Sequence, residues 1–432
     1  MSAELVGSLG VLCLIILILF LRMWIGMAMI LVGSIGIFIL QSSKSTFGIM
    51  GTVPYETSAY YPMTAIPLFI LMGVIVGNTN IGENLYFSVH KWVGAMRGGL
   101  ASATVLACAV FAAITGSSGT GTILMSKVAM PQMQKFKYDD KLSSGAIISA
   151  GTLGILIPPS MGLIIYGLLT EQSVGKLFIA GLIPGILLTL LFMAAVFVVT
   201  TINPKAGPAG PKTLFKEKII SLRKTWHVLL LFLLVLGGIY RGFFTPTEAG
   251  AIGAFGAFII AAATRQLNMQ KLAEILKETV ATGSMIFLII IGAFVFMKFL
   301  GLSKLPFALV EIINGLEVSK YIVFFGIVVV YILLGMFLEV YSTVTLTIPI
   351  VFPIITALGF DPIWFGVIIV LVIEMGLITP PVGINAFIFS GITQVPLATA
   401  FRGVIPFFLA MVFCVILLTI FPEIALFLTR TM

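Results

Sequence analysis

The sequence predicts an all-α polytopic membrane protein with about ten transmembrane helices, two re-entrant helical hairpins and an inverted-topology repeat. Of 432 residues, 60% are hydrophobic and 9% are charged, whereas an average soluble domain is about 25% charged. The apolar residues form runs of about 17–25, long enough to cross about 30 Å of hydrocarbon as helix. Residues 131–184 also align with residues 353–406 without a gap. This composition excludes most cytosolic enzymes.

The apolar runs give the predicted membrane spans directly. They lie at residues 5–21, 23–40, 63–80, 141–171, 175–201, 226–243, 247–264, 276–300, 361–392 and 397–428. Arg22 follows the first run, whereas a secretory signal carries its basic residues before the apolar run. We therefore expect the first span to be retained.

Polar or proline-rich interruptions divide four apolar segments where a crossing would lie in mid-membrane. They are two hairpin tips at 116–121 and 339–343, and two helix breaks at 157–160 and 379–382, each with a proline pair. Proline removes an N–H donor and leaves a carbonyl of the preceding turn unpaired. Unpaired backbone is tolerated at membrane depth only where protein, water or a ligand satisfies it. The interruptions therefore indicate a site.

An internal repeat relates these interruptions in pairs. Adding 222 to a residue number maps Pro131, Asp139, Gly154, Pro158, Pro159, Gly181 and Pro184 onto Pro353, Asp361, Gly376, Pro380, Pro381, Gly403 and Pro406. Each half holds five crossings and one hairpin. Because five is odd, the second half enters from the opposite side of the membrane. Inverted repeats of this kind are typical of secondary transporters whose site lies at the repeat interface near the midplane.

The repeat also suggests a division of the chain into static and moving parts. We predict scaffold helices at 1–62 and 226–275, repeat cores at 63–201 and 276–432, and a basic connector at 202–225. Within the cores, segments 82–97 and 302–317 mix charged and apolar residues, which predicts arm helices along the membrane surface. The hairpins and broken helices are expected to move, and the scaffold and arms to stay fixed.

The connector sets the predicted orientation. Its basic residues are Lys205, Lys212, Lys216, Lys218, Arg223 and Lys224. If the connector is cytoplasmic, most lysines and arginines outside the spans also fall inside, which satisfies the positive-inside rule. Both termini then lie outside. No basic and aromatic surface suggests nucleic acid, so the expected surroundings are the lipid bilayer.

Cysteine and histidine usage gives no sign of a metal centre. Cys13, Cys108 and Cys414 lie inside apolar runs without motif spacing, which favours buried, inert thiols. His90 and His227 are far apart, which excludes an HExxH motif.

The two alternatives to a carrier are an intramembrane protease and a channel. Gly116-Ser117-Ser118-Gly119 resembles the segment around the serine of rhomboid-like intramembrane proteases, but such a serine needs a nearby base. A channel would show a polar stripe along continuous helices instead of two closed hairpins. No phosphate-binding loop of the G-x-x-x-x-G-K-[ST] type is present. The chain is therefore expected to be no enzyme and to draw its energy from an ion gradient.

The hairpin tips and breaks together form the predicted site. The tips supply the hydroxyls of Ser117, Ser118, Thr120, Ser342 and Thr343, and the breaks supply carbonyls together with Thr379 and Asn385. Neutral oxygens without dense carboxylates suit Na⁺ better than Ca²⁺ or Zn²⁺. The alternative reading is that glycine and serine only permit close helix packing.

Two glutamates fall inside the membrane, where ionisable residues are expensive and often functional. Glu339 opens the second tip, where it would help to hold a cation, close the gate or cap the following half-helix. Glu374 precedes the second break, and its alternatives are a proton carrier, a neighbour of the sodium site, or a structural partner for Arg402 or Lys298.

Two aspartates related by the repeat are read as helix caps. Asp361 precedes a proline, the order typical of an N-cap followed by the first helical residue. Asp139 occupies the same place in the first half.

Several segments resemble one transporter family. They are 111–118 (FAAITGSS), 154–160 (GILIPPS), 166–167 (YG), 170–178 (TEQSVGKLF), 180–185 (AGLIPG), 245–251 (TPTEAGA) and 376–385 (GLITPPVGIN). Together they resemble the large membrane subunit of tripartite ATP-independent periplasmic (TRAP) transporters across nearly the whole chain.

The resemblance implies a sodium-driven elevator carrier for a small organic acid in a bacterial inner membrane. It implies two partners, a small four-helix membrane subunit and a periplasmic substrate-binding protein, and no cofactor besides Na⁺. The expected sodium site comprises Ser117, Ser118, Gly154, Pro158, Gly335, Gly376, Thr379 and Asn385. The expected substrate site comprises Ser118, Gly119, Thr120, Tyr341, Ser342 and Thr343. The sequence does not name the acid.

Overall fold

The computed structural model describes residues 2–210, 213–223, 225–315 and 318–431, and these form a helical protein. Lys212 and Lys224 of the predicted connector and the last two residues of the second predicted arm lie outside the described residues. The α-helices are α1 (Ala3–Leu19), α2 (Ile25–Leu40), α3 (Ser43–Ala59), α4 (Ala65–Gly77), α5 (Ile81–Val93), α6 (Gly99–Thr115), α7 (Ser118–Lys135), α8 (Asp140–Leu156), α9 (Met161–Thr170), α10 (Val174–Ile202), α11 (Phe215–Leu222), α12 (Trp226–Tyr240), α13 (Pro246–Ala263), α14 (Met269–Ser303), α15 (Leu305–Gly315), α16 (Lys320–Gly335), α17 (Val340–Ala357), α18 (Pro362–Leu377), α19 (Ile384–Thr393), α20 (Leu397–Ile420) and α21 (Glu423–Leu426).

The helices confirm a polytopic membrane protein. Within the described ranges, six helical segments are long and apolar enough to cross a membrane, or eight when each bent pair is taken as one span. Helix α3 lies outside the predicted spans and is bent by 60° from the segment Tyr61–Gly77 that follows it. Cys13 is exposed on α1, contrary to the prediction, whereas Cys108 and Cys414 are buried.

The repeat appears in the helix boundaries themselves. Helix α7 spans residues 118–135, and adding 222 gives 340–357, the bounds of α17. The broken pairs α8–α9 and α18–α19 correspond in the same way within a residue.

The two halves run in opposite directions. Helix α8 begins at the connector, where the Asp139 amide donates to the Ala206 carbonyl at 2.9 Å. Helix α18 instead begins beside α9, near its far end, where the Tyr166 hydroxyl donates to the Pro362 carbonyl at 2.6 Å. The first residues of corresponding helices therefore lie on opposite faces, as an inverted repeat requires.

Helix packing separates two groups. One contains α1–α4 and α12–α14, with α2 packed along α14 and α4 along α13. At the first contact, a Cβ on Gly292 would lie 2.4 Å from the Gly26 carbonyl oxygen, so the backbones touch. The other contains the hairpins α6–α7 and α16–α17, packed on α8 and α18. Helix α14 continues through residue 275, where the sequence suggested a boundary.

The two repeats interlock within the second group. Helix α9 packs against α17 of the other repeat, and α19 packs against α7. Each half-helix that follows a break thus supports the opposite hairpin. The site between the hairpins is therefore built jointly by both halves.

The connector is anchored to the first arm helix, α5. The Ser88 hydroxyl donates to the Ser221 carbonyl at 2.8 Å, and Lys91 pairs with Glu217 at 3.7 Å. The Gly98 amide, at the base of the first hairpin, donates to the Gly207 carbonyl at 2.9 Å. These contacts place the connector, the first arm and the base of the first hairpin on one face, hereafter the connector face.

His90 makes this face sensitive to acid. Its ring lies against Tyr86 and Phe136, with centroids 6.2 and 6.3 Å away. Burial, with a smaller effect of the Lys91 charge, lowers the pKa of His90 below its usual 6.5. The unfolded chain therefore binds a proton more readily than the folded protein, and stability that is complete above 6.5 is lost as the pH falls.

We expect His90→Gln to reduce this acid sensitivity. Between about pH 7.5 and about pH 5.5, the melting temperature of the wild type should fall by about 1–2 °C more than that of the variant, because His90 is only half-buried. Differential scanning fluorimetry across this range measures the difference. Equal slopes for the two proteins would contradict the assignment.

Both predicted aspartate caps are confirmed. The Asp361 carboxylate accepts hydrogen bonds from the amides of Ile363 and Trp364 at 2.8 and 2.9 Å. The Asp139 carboxylate accepts one from Lys141 at 2.7 Å. These side chains hold the starts of α18 and α8 in place.

Candidate functional site

The two hairpin tips are shorter than predicted. Only Gly116 and Ser117 separate α6 from α7, and residues 336–339 separate α16 from α17. The Ser117 hydroxyl accepts a hydrogen bond from the Thr120 amide at 3.4 Å, so it caps α7. The polar residues that follow each tip are therefore helical.

The two breaks differ in exposure. The first, at 157–160, is entirely buried. The second extends over 378–383, and Pro380 and Pro381 are exposed. Related sequence segments thus have different surroundings in this conformation.

Glycines related by the repeat bring each hairpin against a broken helix. A Cβ on Gly154 would lie 2.6 Å from the Ser117 carbonyl oxygen. A Cβ on Gly376, its repeat counterpart, would lie 2.6 Å from the Gly335 backbone. Distances below about 3 Å leave no room for a side chain, so the contact depends on glycine.

Both hairpin tips and the helix ends beside the two breaks meet around one cavity of about 60 Å³. Its walls are Ser117, Ser118, Gly119, Ile155, Glu339, Val340, Tyr341, Leu377, Ile384, Asn385 and Ile388. A buried water needs roughly 10–15 Å³ of such space, whereas pockets for small organic ligands are about 300–1,000 Å³. The cavity has room for an ion or a few waters, and an organic acid would need a tip to move.

Helix ends dominate the electrostatics of this cavity. The first turns of α7, α17 and α19 all line it, through Ser118, Tyr341 and Asn385. Helix N-termini carry partial positive charge and free N–H groups. The carbonyl ends of α8 and α18 also reach it, through Ile155 and Leu377. The helix ends therefore offer partial charges of both signs to groups bound at this cavity.

The two glutamates occupy different positions. Glu339 lines the cavity and has an exposed side chain. It makes no capping hydrogen bond to α17. Glu374 is 0% exposed, and neither carboxyl oxygen has a hydrogen-bond partner in the part of the chain that the structure describes. The Ser118 hydroxyl faces this carboxyl without reaching hydrogen-bonding geometry.

Some predicted site residues support the cavity without lining it. Thr379 donates to the Met375 carbonyl at 2.6 Å, and Thr343 donates to the Glu339 carbonyl at 3.1 Å. The Thr120 hydroxyl donates to Ser117 Oγ at 3.2 Å. Pro158 lies in the buried first break. Ser342 faces a separate cavity of about 300 Å³ beside α2 and α14.

A larger cavity of about 770 Å³ lies away from the tips. It opens between the ends of α3 and α9 and the starts of α10 and α13, and Lys298 lines it. Since α10 runs from this cavity to the connector, the cavity is on the face opposite the connector face.

The apolar residues that line the small cavity were not predicted from the sequence. Ile155, Leu377, Ile384 and Ile388 line it, yet they resemble any other span residues. Their position within about one turn of a break is the signal that could have identified them.

An inverted repeat with two hairpins and two broken helices around one cavity defines a helical membrane transporter. The chain belongs to the DctM-component family of tripartite ATP-independent periplasmic transporters, whose family model matches residues 12–424.

Relatives and a solved structure agree with this assignment. The C4-dicarboxylate TRAP transporter large permease protein DctM of Pseudomonas aeruginosa is 38% identical over 86% of this chain and 87% of its own. The sialic acid TRAP transporter large permease protein SiaM of Vibrio cholerae is 30% identical over 85% and 86%. The YdaH transporter of Alcanivorax borkumensis shares the fold, with a TM-score of 0.65 at 14% identity over 89% and 90% of the two chains.

Proposed function

We propose that this protein carries a small organic acid, a carboxylate or sulfonate, into a bacterial cell together with Na⁺. The observation that supports this most directly is the cavity lined by three helix N-termini and by the polar side chains of Ser117, Ser118 and Asn385, with Glu339 beside them. The N–H groups suit the acid group of the substrate, and hydroxyls and carbonyls suit a monovalent cation. A C4-dicarboxylate is the first candidate substrate, because the 38% identical relative is named for it.

In this proposal, the tip hydroxyls of Ser117 and Ser118, the Asn385 amide and nearby break carbonyls hold Na⁺. Each lies at or beside the cavity. Gly154, Gly335 and Gly376 serve by letting the backbones approach. Sodium supplies the free energy by moving down its gradient, and no covalent step is required.

We propose an elevator movement of the hairpin group past the scaffold. Helices α4 and α14 pack chiefly with α13 and α2, so we place them with the static part. At the contact between the groups, a Cβ on Gly73 of α4 would lie 3.0 Å from the Thr115 carbonyl oxygen. Small residues at this contact would let the surfaces slide.

The setting of the carrier follows from its family and its charges. We propose a bacterial inner membrane, with the connector face cytoplasmic and both termini periplasmic. The name of the family describes a three-part transporter. We propose a small membrane subunit against the scaffold and a periplasmic binding protein that delivers the acid.

Uptake by purified protein in proteoliposomes tests the proposal. With the small subunit and binding protein present, an inward Na⁺ gradient should drive saturable uptake of radiolabelled succinate or sialic acid, and an equal K⁺ gradient should not. Uptake that ignores Na⁺, or that needs no binding protein, would contradict the proposal. Flux that does not saturate would support a channel instead.

A further inference from the structure

Glu374 is a buried carboxyl group that forms no ion pair with the described residues. It lies in the last turn of α18 and is 0% exposed, and among the described residues neither carboxyl oxygen has a hydrogen-bond partner. The carbonyl end of a helix has partial negative charge, so a carboxylate there is doubly disfavoured. Burying an unpaired ion costs several kcal/mol. Such a group is either protonated or paired with a cation that binds beside it.

The two basic side chains that the sequence suggests as partners of Glu374 do not supply that cation. Lys298 lines the separate large cavity, and Arg402 is exposed on α20. In the part of the chain that the structure describes, the ion pairs are Lys91–Glu217 and Arg430–Glu423.

The groups that face Glu374 suit a small cation. The Ser118 hydroxyl approaches from the first turn of α7, in the opposite repeat, and Tyr341 and Glu339 are close enough to interact electrostatically. Asn385, 2% exposed and with its Nδ2 atom unpaired, lines the adjoining cavity. Both repeats therefore meet at this carboxylate.

The charge has no counterpart in the first half. The residue 222 positions earlier is Thr152, whose hydroxyl donates to the Ser149 carbonyl at 2.6 Å. The first half thus satisfies this position internally. The second half leaves two acceptor atoms open.

We propose that the Glu374 carboxylate and the Ser118 hydroxyl form a Na⁺ site that belongs to the second half alone. This inference rests on the proposed sodium coupling and adds a charged ligand to the neutral oxygens. The site binds Na⁺ before any substrate is present. The bound ion then holds the tip of the first hairpin against α18 and offsets a negative charge that would repel an organic anion.

Na⁺-dependent melting of the purified protein without substrate tests the site. The melting temperature of the wild type should rise with Na⁺ at constant total salt, with K⁺ as the replacement ion. Glu374→Gln, which keeps shape and removes charge, should weaken the apparent Na⁺ affinity by about tenfold or more. Glu374→Asp should retain a measurable response. Glu311→Gln, an exposed carboxylate on α15, is the matched control and should behave as wild type.

Uptake measurements distinguish a failure of the Glu374 site from a failure of the proposed sodium-coupled function. The Hill coefficient for Na⁺ should be lower in Glu374→Gln than in the wild type. Unchanged Na⁺ affinity and Hill coefficient in Glu374→Gln, with sodium-driven uptake by the wild type intact, would overturn the Glu374 site and leave the proposed function standing. If Glu374→Gln does not fold, the Asp variant decides: wild-type affinity there would also overturn the site. No response of the wild type to Na⁺ in either assay would overturn the proposed function.

Discussion

Gly154→Ala and Gly376→Ala are each expected to reduce sodium-driven uptake by about tenfold or more. The added Cβ would lie 2.6 Å from the Ser117 carbonyl oxygen in the first case and from the Gly335 backbone in the second. Only backbone is available to yield, and overpacking of this kind costs about 1–3 kcal/mol. About 1.4 kcal/mol corresponds to a factor of ten in an equilibrium constant. This cost should therefore displace the hairpin from its position against the broken helix.

Initial uptake rates in proteoliposomes, normalised to reconstituted protein, measure this effect. Gly326→Ala is the matched control, because nothing lies within 4 Å of a Cβ at that position on α16. A control as impaired as the two variants would show that helix propensity is responsible. Wild-type rates in Gly154→Ala and Gly376→Ala would show that the hairpins do not depend on this contact.

Asn385→Leu is expected to weaken binding of both the substrate anion and Na⁺ by about 10- to 100-fold. Asn385 lines the small cavity and is 2% exposed. Its amide offers a donor for the acid and an acceptor for the ion, and hydrogen bonds to charged groups are worth about 1.5–3 kcal/mol. Leucine has similar size and neither function.

Asn385→Asp separates the two functions of this side chain. It keeps oxygen atoms for a cation and loses the donor for an anion, so Na⁺-dependent melting should persist while substrate uptake falls. Asn78→Leu, which removes an exposed amide that donates to Glu278 at 3.0 Å, controls for the loss of a polar side chain. Retention of uptake by Asn385→Leu would remove this residue from the site.

Much of the fold could be predicted because it depends on strong local signals. The proline pairs define the first break at its observed position, between α8 and α9, and the 222-residue offset gives the bounds of α17 from those of α7. Asp139 and Asp361 cap helices as their positions indicate.

Other features depend on context that a single sequence does not carry. Helix α3 is polar enough to look like a loop, with Lys44, Glu56 and several serines and threonines. The residues after Ser117 are polar and small, which is typical of a turn, yet the serine caps a helix that begins at once. That Glu374 has no partner among the described residues could not be predicted. Its candidate partners lie elsewhere in the folded protein, and the sequence does not show their positions.

The unequal exposure of the two breaks has a consequence for the rest of the transport cycle. In the proposed transport cycle, exchanging the conformations of the two oppositely oriented halves produces a molecule that faces the other way. The present structure therefore contains a template for its own opposite state. In that state Pro158 and Pro159 would be open to water, and Pro380 and Pro381, exposed here, would be sealed.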